Sequence, residues 1–475
     1  MPKIKQKKLQ APRGMRDVMP EEQIYWKHIN KKALPVLDDY GFGKIDLPIA
    51  EHTELFVRSV GEATDIVEKE MYNFKTKGGD ELSLRPELTA GTLRAYIEHG
   101  MHVLPHPIRL WSQGPVFRHD NPQAGRLRQF NQLNVESIGD ADAVVDAELI
   151  FMAHKVLESI GLKKMIVKIN SIGDSSCRPQ YIKALKDYYK NKVKKICAKC
   201  RDRIKTSPLR VLDCTDQNCK EVAVDAPQFV DYLDADCKKH FKSVLEFLDE
   251  VGVPYSLDPH LVRGLDYYTR TVFEFVPDVM DVKVEVKESV SIPSEIAVPV
   301  IGGEGQEAEN IIVEKPAEIQ EKNKDSAIPS LAVISGGRYD KLIGLLGGQD
   351  APAVGWGMGI ERAILLLKAF RVHVPEPANH AGVFLAQLSE MGRRKGLVLF
   401  EELRKASISA KSSFGRDSIK SQLRIAHKLG VPLTLIIGQK EALEESVILR
   451  EMDTGAQETI PLEKIINVLK KRLKK

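Results

Sequence analysis

Apolar residues recur along this chain with two periods, and the places where one gives way to the other divide it. A helical period opens after Pro20-Glu21-Glu22, where proline and acids suit a first turn, and runs to Asp39 before Gly41 and Gly43 stop it. Residues 44–47 and 82–84 read as short strands. The second leads through Arg85-Pro86-Glu87-Leu88-Thr89 into a helix reaching Tyr96. After Phe117 two antiparallel strands are expected around a polar tip, since Asn121-Pro122 and Ala124-Gly125 are turn chemistry. From Phe130 a period of two sends Gln132, Asn134 and Glu136 to one face and Leu133 and Val135 to the other. Residues 142–160 form an amphipathic helix stopped by Gly161, 167–169 a strand, and 170 to about 257 a mostly helical stretch.

From Gly382 strands (383–388, 408–412, 433–437) alternate with helices (393–406, 418–429). A hairpin and a basic helix at 462–474 follow, giving a compact α/β module. Residues 277–330 break the pattern: they hold no aromatic residue, are acidic on balance, and mix VKVEVKE alternation with Pro, Gly and Ser. An extended hairpin with a disordered tip is expected there, with no function assigned. A length of 475 residues points to about three domains. The net charge of +4 is uneven: residues 379–475 hold 18 Lys and Arg against 11 Asp and Glu, which favours a polyanion such as RNA as partner of that module. No apolar run is long enough to cross a bilayer, the basic start MPKIKQKKLQ lacks a signal's apolar segment, and six cysteines are too few for a disulfide scaffold. The chain is therefore expected in the cytoplasm, with no membrane partner.

Arg118, Arg126 and Arg128 share the central hairpin. Guanidinium groups are planar, permanently charged forks that suit phosphate oxygens, so the hairpin suggests a polyphosphate ligand; a solvated hairpin is the plain alternative. Glu87 and Thr89, at a strand-to-helix junction, suit a protonated amino group, or else Thr89 caps the helix and Glu87 is solvated. In LVRGLDYYTR, Arg263 offers a fixed cation beside the Gly264 turn, and Tyr267 and Tyr268 offer aromatic walls with hydroxyl handles. Cys197-x-x-Cys200 and Cys214-x4-Cys219 have a spacing at which four thiolates can close a structural zinc site, or remain four metal-free thiols.

These strings carry a family resemblance. Phe117-Arg118, a short loop and Arg126-x-x-x-Phe130 resemble motif 2 of the class II aminoacyl-tRNA synthetases, and the fuller PQ-x-GR-x-RQF resembles the histidyl-tRNA synthetases. The first helix and strand resemble motif 1, the dimer element, and Gly355-Trp356-Gly357-Met358-Gly359-Ile360-Glu361-Arg362 resembles motif 3. Residues 61–72, Arg85-Pro86-Glu87-Leu88-Thr89, LVRGLDYYTR and Ser335-Gly336-Gly337-Arg338-Tyr339-Asp340 resemble the family's histidine-specific segments.

The resemblance implies an α+β catalytic domain (11–170 and 258–375, with the irregular insert 277–330) on a six-stranded antiparallel sheet. It also implies a helical insertion (171–257) and an anticodon-binding domain (379–475) whose Lys411, Arg416, Lys420 and Arg424 are candidate phosphate contacts. The implied activity is histidine–tRNA ligation by a homodimer, with ATP, Mg²⁺, L-histidine and tRNA(His) as reactants and partners. Arg118 and Arg263 would flank the α-phosphate, and Arg126 and Arg362 would hold the outer phosphates. Glu87, Leu88 and Thr89 would meet the ammonium and Gln132 the carboxylate. Glu136, Tyr267, Tyr268 and Tyr339 would enclose the imidazole. The hairpin tip at residues 121–124 would meet the acceptor stem. The rival is a histidine-binding regulatory paralogue without aminoacylation activity; such paralogues lack the C-terminal module and degrade the Arg263 string, and both are present here.

Overall fold

The computed structural model describes residues 9–61, 64–123, 125–278, 332–375, 382–413 and 418–473. Two compact units result, Met1–Val374 and Pro375–Lys475. The first contains helices α1 (Gln23–Asp39), α2 (Thr53–Val60), α3 (Thr89–Glu98), α4 (Ala143–Ile160), α5 (Arg178–Lys190), α6 (Ala198–Thr206), α7 (Gln217–Ala223), α8 (Ala235–Glu250), α9 (Leu342–Leu345) and α10 (Ile360–Ala369). Its strands are β1 (Gly43–Lys44), β2 (Ala50–His52), β3 (Tyr72–Lys75), β4 (Glu81–Leu84), β5 (Ile108–Phe117), β6 (Gln129–Ile138), β7 (Met165–Ser171), β8 (Tyr255–Leu257), β9 (Thr269–Pro277), β10 (Ile334–Arg338) and β11 (Ala353–Gly359).

The main sheet has eight strands in the order β1-β5-β6-β11-β10-β9-β7-β8. The six expected antiparallel strands are its centre; the expectation did not include the short parallel strand on each edge, β1 beside β5, where a strand was expected at 44–47 but not in this sheet, and β8 beside β7. Both pair through only two or three residues, too few to leave a periodic signal. A smaller antiparallel sheet, β2-β4-β3, leads into α3. The central hairpin forms as its alternation indicates, with Phe117 opposite Gln129 and Ile108 opposite Ile138.

That register puts Leu133 and Val135 into the principal core, against α1, α4, α8 and α10. Asn134 and Glu136 face the other way, buried as well. The helical stretch holds α5–α8. Its last helix returns Phe241, Val244 and Leu248 to the principal core beside α4, while α5–α7 gather around a second cluster with Tyr267, Tyr268 and Tyr339. Arg338 is wholly buried on β10, and all five of its N–H groups are used: Asp146 on α4 takes Nε at 3.0 Å and one Nη2 proton, and the carbonyls of Asp140 and Asp142 and the Asp340 carboxylate take the rest. Most of the stretch 277–330 lies outside the described residues.

The second unit is a five-stranded mixed sheet, ordered β13 (Ala410–Ser412), β12 (Val383–Gln387), β14 (Leu433–Ile437), β15 (Ser446–Glu451), β16 (Gln457–Pro461). Helices α11 (Ser389–Lys405) and α14 (Leu462–Arg472) cover one face with the short α13 (Gln439–Leu443), and α12 (Ile419–Lys428) covers the other. Lys411, Lys420 and Arg424 are exposed; Arg416 lies outside the described residues. No helix among the described residues is long and apolar enough to cross a membrane.

Candidate active site

Above the main sheet of the first unit lies a cavity of about 470 Å³, walled by the hairpin, the α3 junction, the 263–268 turn and the start of α10. Six arginines line it: Arg118, Arg126, Arg203, Arg210, Arg263 and Arg362. Arg118 follows β5; its Nε donates to the Pro86 carbonyl at 2.9 Å and its fork lies 5.5 Å from the Phe130 ring centre. Burial lowers its pKa, opposed by Glu70 and Glu87. Arg362, in the first turn of α10, donates to the carbonyls of Gly125 at 3.1 Å and Ala332 at 2.8 Å. Burial, then the repulsion of Arg118 and Arg126, pulls it down to about 10. Arg263 is ion-paired with Glu274 of β9, and Ser335 donates to the same carboxylate at 3.4 Å. Arg126 is the most exposed, 3.5 Å from Asp120. Crowded cations raise one another's energy until an anion enters, so this wall is built for a polyanionic ligand.

The opposite wall is acidic and aromatic. Glu87 accepts from the backbone amides of Thr89 at 2.6 Å and Ala90 at 2.7 Å, so the glutamate, not the threonine, closes the start of α3. Burial raises its pKa, and those two amides offset part of the rise. Thr89 is thereby free to donate to Glu136 at 2.6 Å, while Tyr339 donates to the other carboxylate oxygen. Burial pushes the Glu136 carboxyl up to about 8. Tyr267 and Tyr268 pack at 4.6 Å between ring centres, with Tyr339 at 5.5 Å from Tyr267. This layer depends on two close approaches. A Cβ at Gly355 would stand 1.7 Å from Glu136 Oε2, and one at Gly337 2.8 Å from the Tyr268 ring.

Two groups of side chains beyond the polyanion wall have metal-ligand chemistry. Cys197, Cys200, Cys214 and Cys219 gather with their sulfurs within 4.8 Å of one another, as do the donor atoms of Asp174, Cys177, Asp234 and Cys237. In the second group the carboxylates already serve Ser176 and the first turn of α8.

Comparison with known proteins gives the family. The family model described as histidyl-tRNA synthetase matches residues 14–284, and one described as anticodon binding domain matches 386–472. A histidine–tRNA ligase of Dehalococcoides mccartyi is 41% identical over 98% of this chain and 100% of its own length; one from Caldicellulosiruptor saccharolyticus is 39% identical over the same shares. The chain belongs to the histidyl-tRNA synthetase family. The crystal structure of the apo histidyl-tRNA synthetase of S. aureus superposes with a TM-score of 0.70 at 30% identity, covering 98% of this chain and all of that one.

Within this synthetase, Glu87, Thr89, Arg118, Arg126, Gln132, Arg263, Tyr267, Tyr268 and Arg362 line a single cavity. Glu136 and Tyr339 sit behind the lining, joined to it through Thr89. Leu88 does not line it: its side chain is buried and its carbonyl accepts from Thr92. Reading the strings missed Glu274, Glu70, Asn134 and Glu361, all of which line the cavity. Glu361 accepts from the Asn131 backbone and side chain at 3.0 Å, tying α10 to β6. Asn134 had a local signal in the period of two that sets it on one face with Gln132 and Glu136, and so did Glu274, the polar residue between two buried phenylalanines in TVFEF.

Proposed function

We propose that the cavity joins histidine to ATP and then to tRNA(His). The histidine carboxylate oxygen attacks the α-phosphorus, the bond to pyrophosphate breaks, and histidyl-adenylate remains. The terminal ribose 3′-hydroxyl of tRNA then attacks the acyl carbon and AMP leaves. The supporting observation is that Arg118 and Arg263, far apart in sequence, line one cavity with Glu87, Gln132 and the two tyrosines. In this reading the two arginines flank the α-phosphate and stabilise the charge that builds there. Arg126 and Arg362 hold the outer phosphates. Mg²⁺, a hard cation, would neutralise part of the triphosphate charge, and the oxygens of Glu274 and Glu361 fit it as donors. Glu87 and Thr89 receive the ammonium and Gln132 the carboxylate. Glu136 and Tyr268 read the two imidazole nitrogens, and a ligand without such nitrogens would leave them unpaired.

The four gathered thiols are a structural zinc site in this reading. A homodimer is supported by exposed apolar side chains at Ile49, Val103, Leu104 and Leu345, surface that a second copy would cover. A cytoplasmic location accords with six unpaired cysteines. Histidine-dependent ATP–pyrophosphate exchange and charging of a tRNA(His) transcript test the reaction. Exchange with another amino acid but not histidine overturns the substrate, and exchange without charging favours a regulatory paralogue.

A further inference from the structure

Several of residues 197–219 line the cavity; α6 buries only Cys200 and α7 only Cys219 and Ala223, and the turn between them adds Pro208, Val211 and Leu212. The two helices themselves meet through sulfur. A tetrahedral zinc–thiolate site has Zn–S bonds of about 2.3 Å and so S···S edges of about 3.8 Å. Cys197 and Cys214 stand 3.9 Å apart, and the Cys197 amide donates to the Cys219 sulfur at 3.2 Å. In the same buried cluster as Cys200 and Cys219, the Tyr189 hydroxyl lacks a hydrogen-bond partner. An orphaned donor next to sulfur is satisfied when that sulfur is a thiolate carrying charge.

From this clamp the chain delivers cations to the cavity. Arg203 donates to the Arg210 carbonyl at 3.1 Å and to Asp65 at 2.6 Å. Arg210 pairs with Asp213 at 3.2 Å and Asp65 at 3.7 Å. Its Nη1 lies over the Gly264 backbone, 2.9 Å from where a Cβ would stand, next to Arg263.

We propose that a zinc ion held by Cys197, Cys200, Cys214 and Cys219 seats Arg210 on the Gly264 turn, making Arg210 a positioning residue for Arg263 in adenylate formation. Zinc enters as four thiols release four protons, with no change of oxidation state. The proposal rests on the zinc and ligase readings above, and its test separates the three.

The full chain, purified without added metal, is analysed by inductively coupled plasma mass spectrometry. It is then stripped with a chelator, checked by circular dichroism and assayed for histidine-dependent exchange. About one zinc per chain is expected, with a loss of roughly 10- to 100-fold in kcat on stripping that added zinc restores. Arg210→Ala should reproduce that loss with zinc retained and both KM values unchanged, Arg210→Lys should recover part of it, and Lys205→Ala, at an exposed position on α6, should be silent. Absence of zinc overturns the site. Full exchange by folded, zinc-free protein, or by Arg210→Ala, overturns the coupling and leaves the site standing. Absence of exchange in zinc-loaded wild type overturns the ligase reading instead.

Discussion

Replacing Arg338 by methionine removes a guanidinium from a place where nothing else can neutralise Asp146 except His240, whose Nε2 is 3.5 Å away. Both members of the pair are wholly buried. Deleting one partner of a buried pair leaves an uncompensated charge and costs about 3–5 kcal/mol. The titration of Asp146 gives an independent figure. Burial opposes its ionisation, but Arg338 and His240 outweigh burial and hold the carboxyl down from 3.8 to about 2. A depression of just under two units corresponds to about 2–3 kcal/mol. The sign follows: a depressed carboxyl contributes stability above its unfolded value of 3.8, and that contribution is lost as pH falls towards about 2. The assay is urea unfolding followed by tryptophan fluorescence. Trp26, Trp111 and Trp356 all belong to the first unit, so the signal reports that unit alone. Arg338→Met should lower its stability by about 3–5 kcal/mol at pH 7, and by less as the pH is taken below 3.8. Arg338→Met with Asp146→Leu should regain most of the loss, because no charge is then stranded. A single variant within about 1 kcal/mol of wild type at pH 7 refutes the reasoning.

Arg263→Ala should lower kcat for exchange by roughly 10²–10³-fold, the effect of losing one transition-state charge donor, with the fold intact by circular dichroism. Arg362→Ala should raise the KM for ATP far more than that for histidine, measured in the same assay. Glu136 is held up at about 8, chiefly by burial. The ligand-free protein should therefore lose stability as pH rises from about 4.5 through 8, a slope that Glu136→Gln flattens in urea midpoints taken across that range. Glu87→Gln keeps an acceptor for one amide of α3, turns an NH₂ donor towards the other and removes the charge facing the cavity, so histidine KM should rise in the exchange assay and the melting temperature should fall.

Elements whose signal is local were legible in the chain. The hairpin, α4 and the C-terminal α/β module follow from periods of two and of 3.6 with turn residues between them. The cavity's direct lining was legible wherever a contiguous string carried it, as in Arg263 with Tyr267 and Tyr268. What escaped was pairing across the sheet. Glu274 opposite Arg263, Asp146 under Arg338, and Thr89 turned towards Glu136 all join residues from separate elements, and no spacing announces them. The choice at the α3 junction illustrates this: a threonine before a helix is a good cap by itself, yet the fold sets Glu87 nearer the free amides. The edge strand β8 escaped for a different reason, having three residues and no room for a repeat, and β1 was legible as a strand but not as a member of the main sheet.

Gly355 has a wider consequence. The space its missing side chain leaves is the space the Glu136 carboxylate occupies, so one methyl group there would displace that carboxylate and break its bonds to Thr89 and Tyr339. On the proposed reading, in which Glu136 meets an imidazole nitrogen, the choice of amino acid thus hangs on a void in the backbone of a neighbouring strand. Gly355→Ala should accordingly degrade discrimination at least as severely as replacing the glutamate itself.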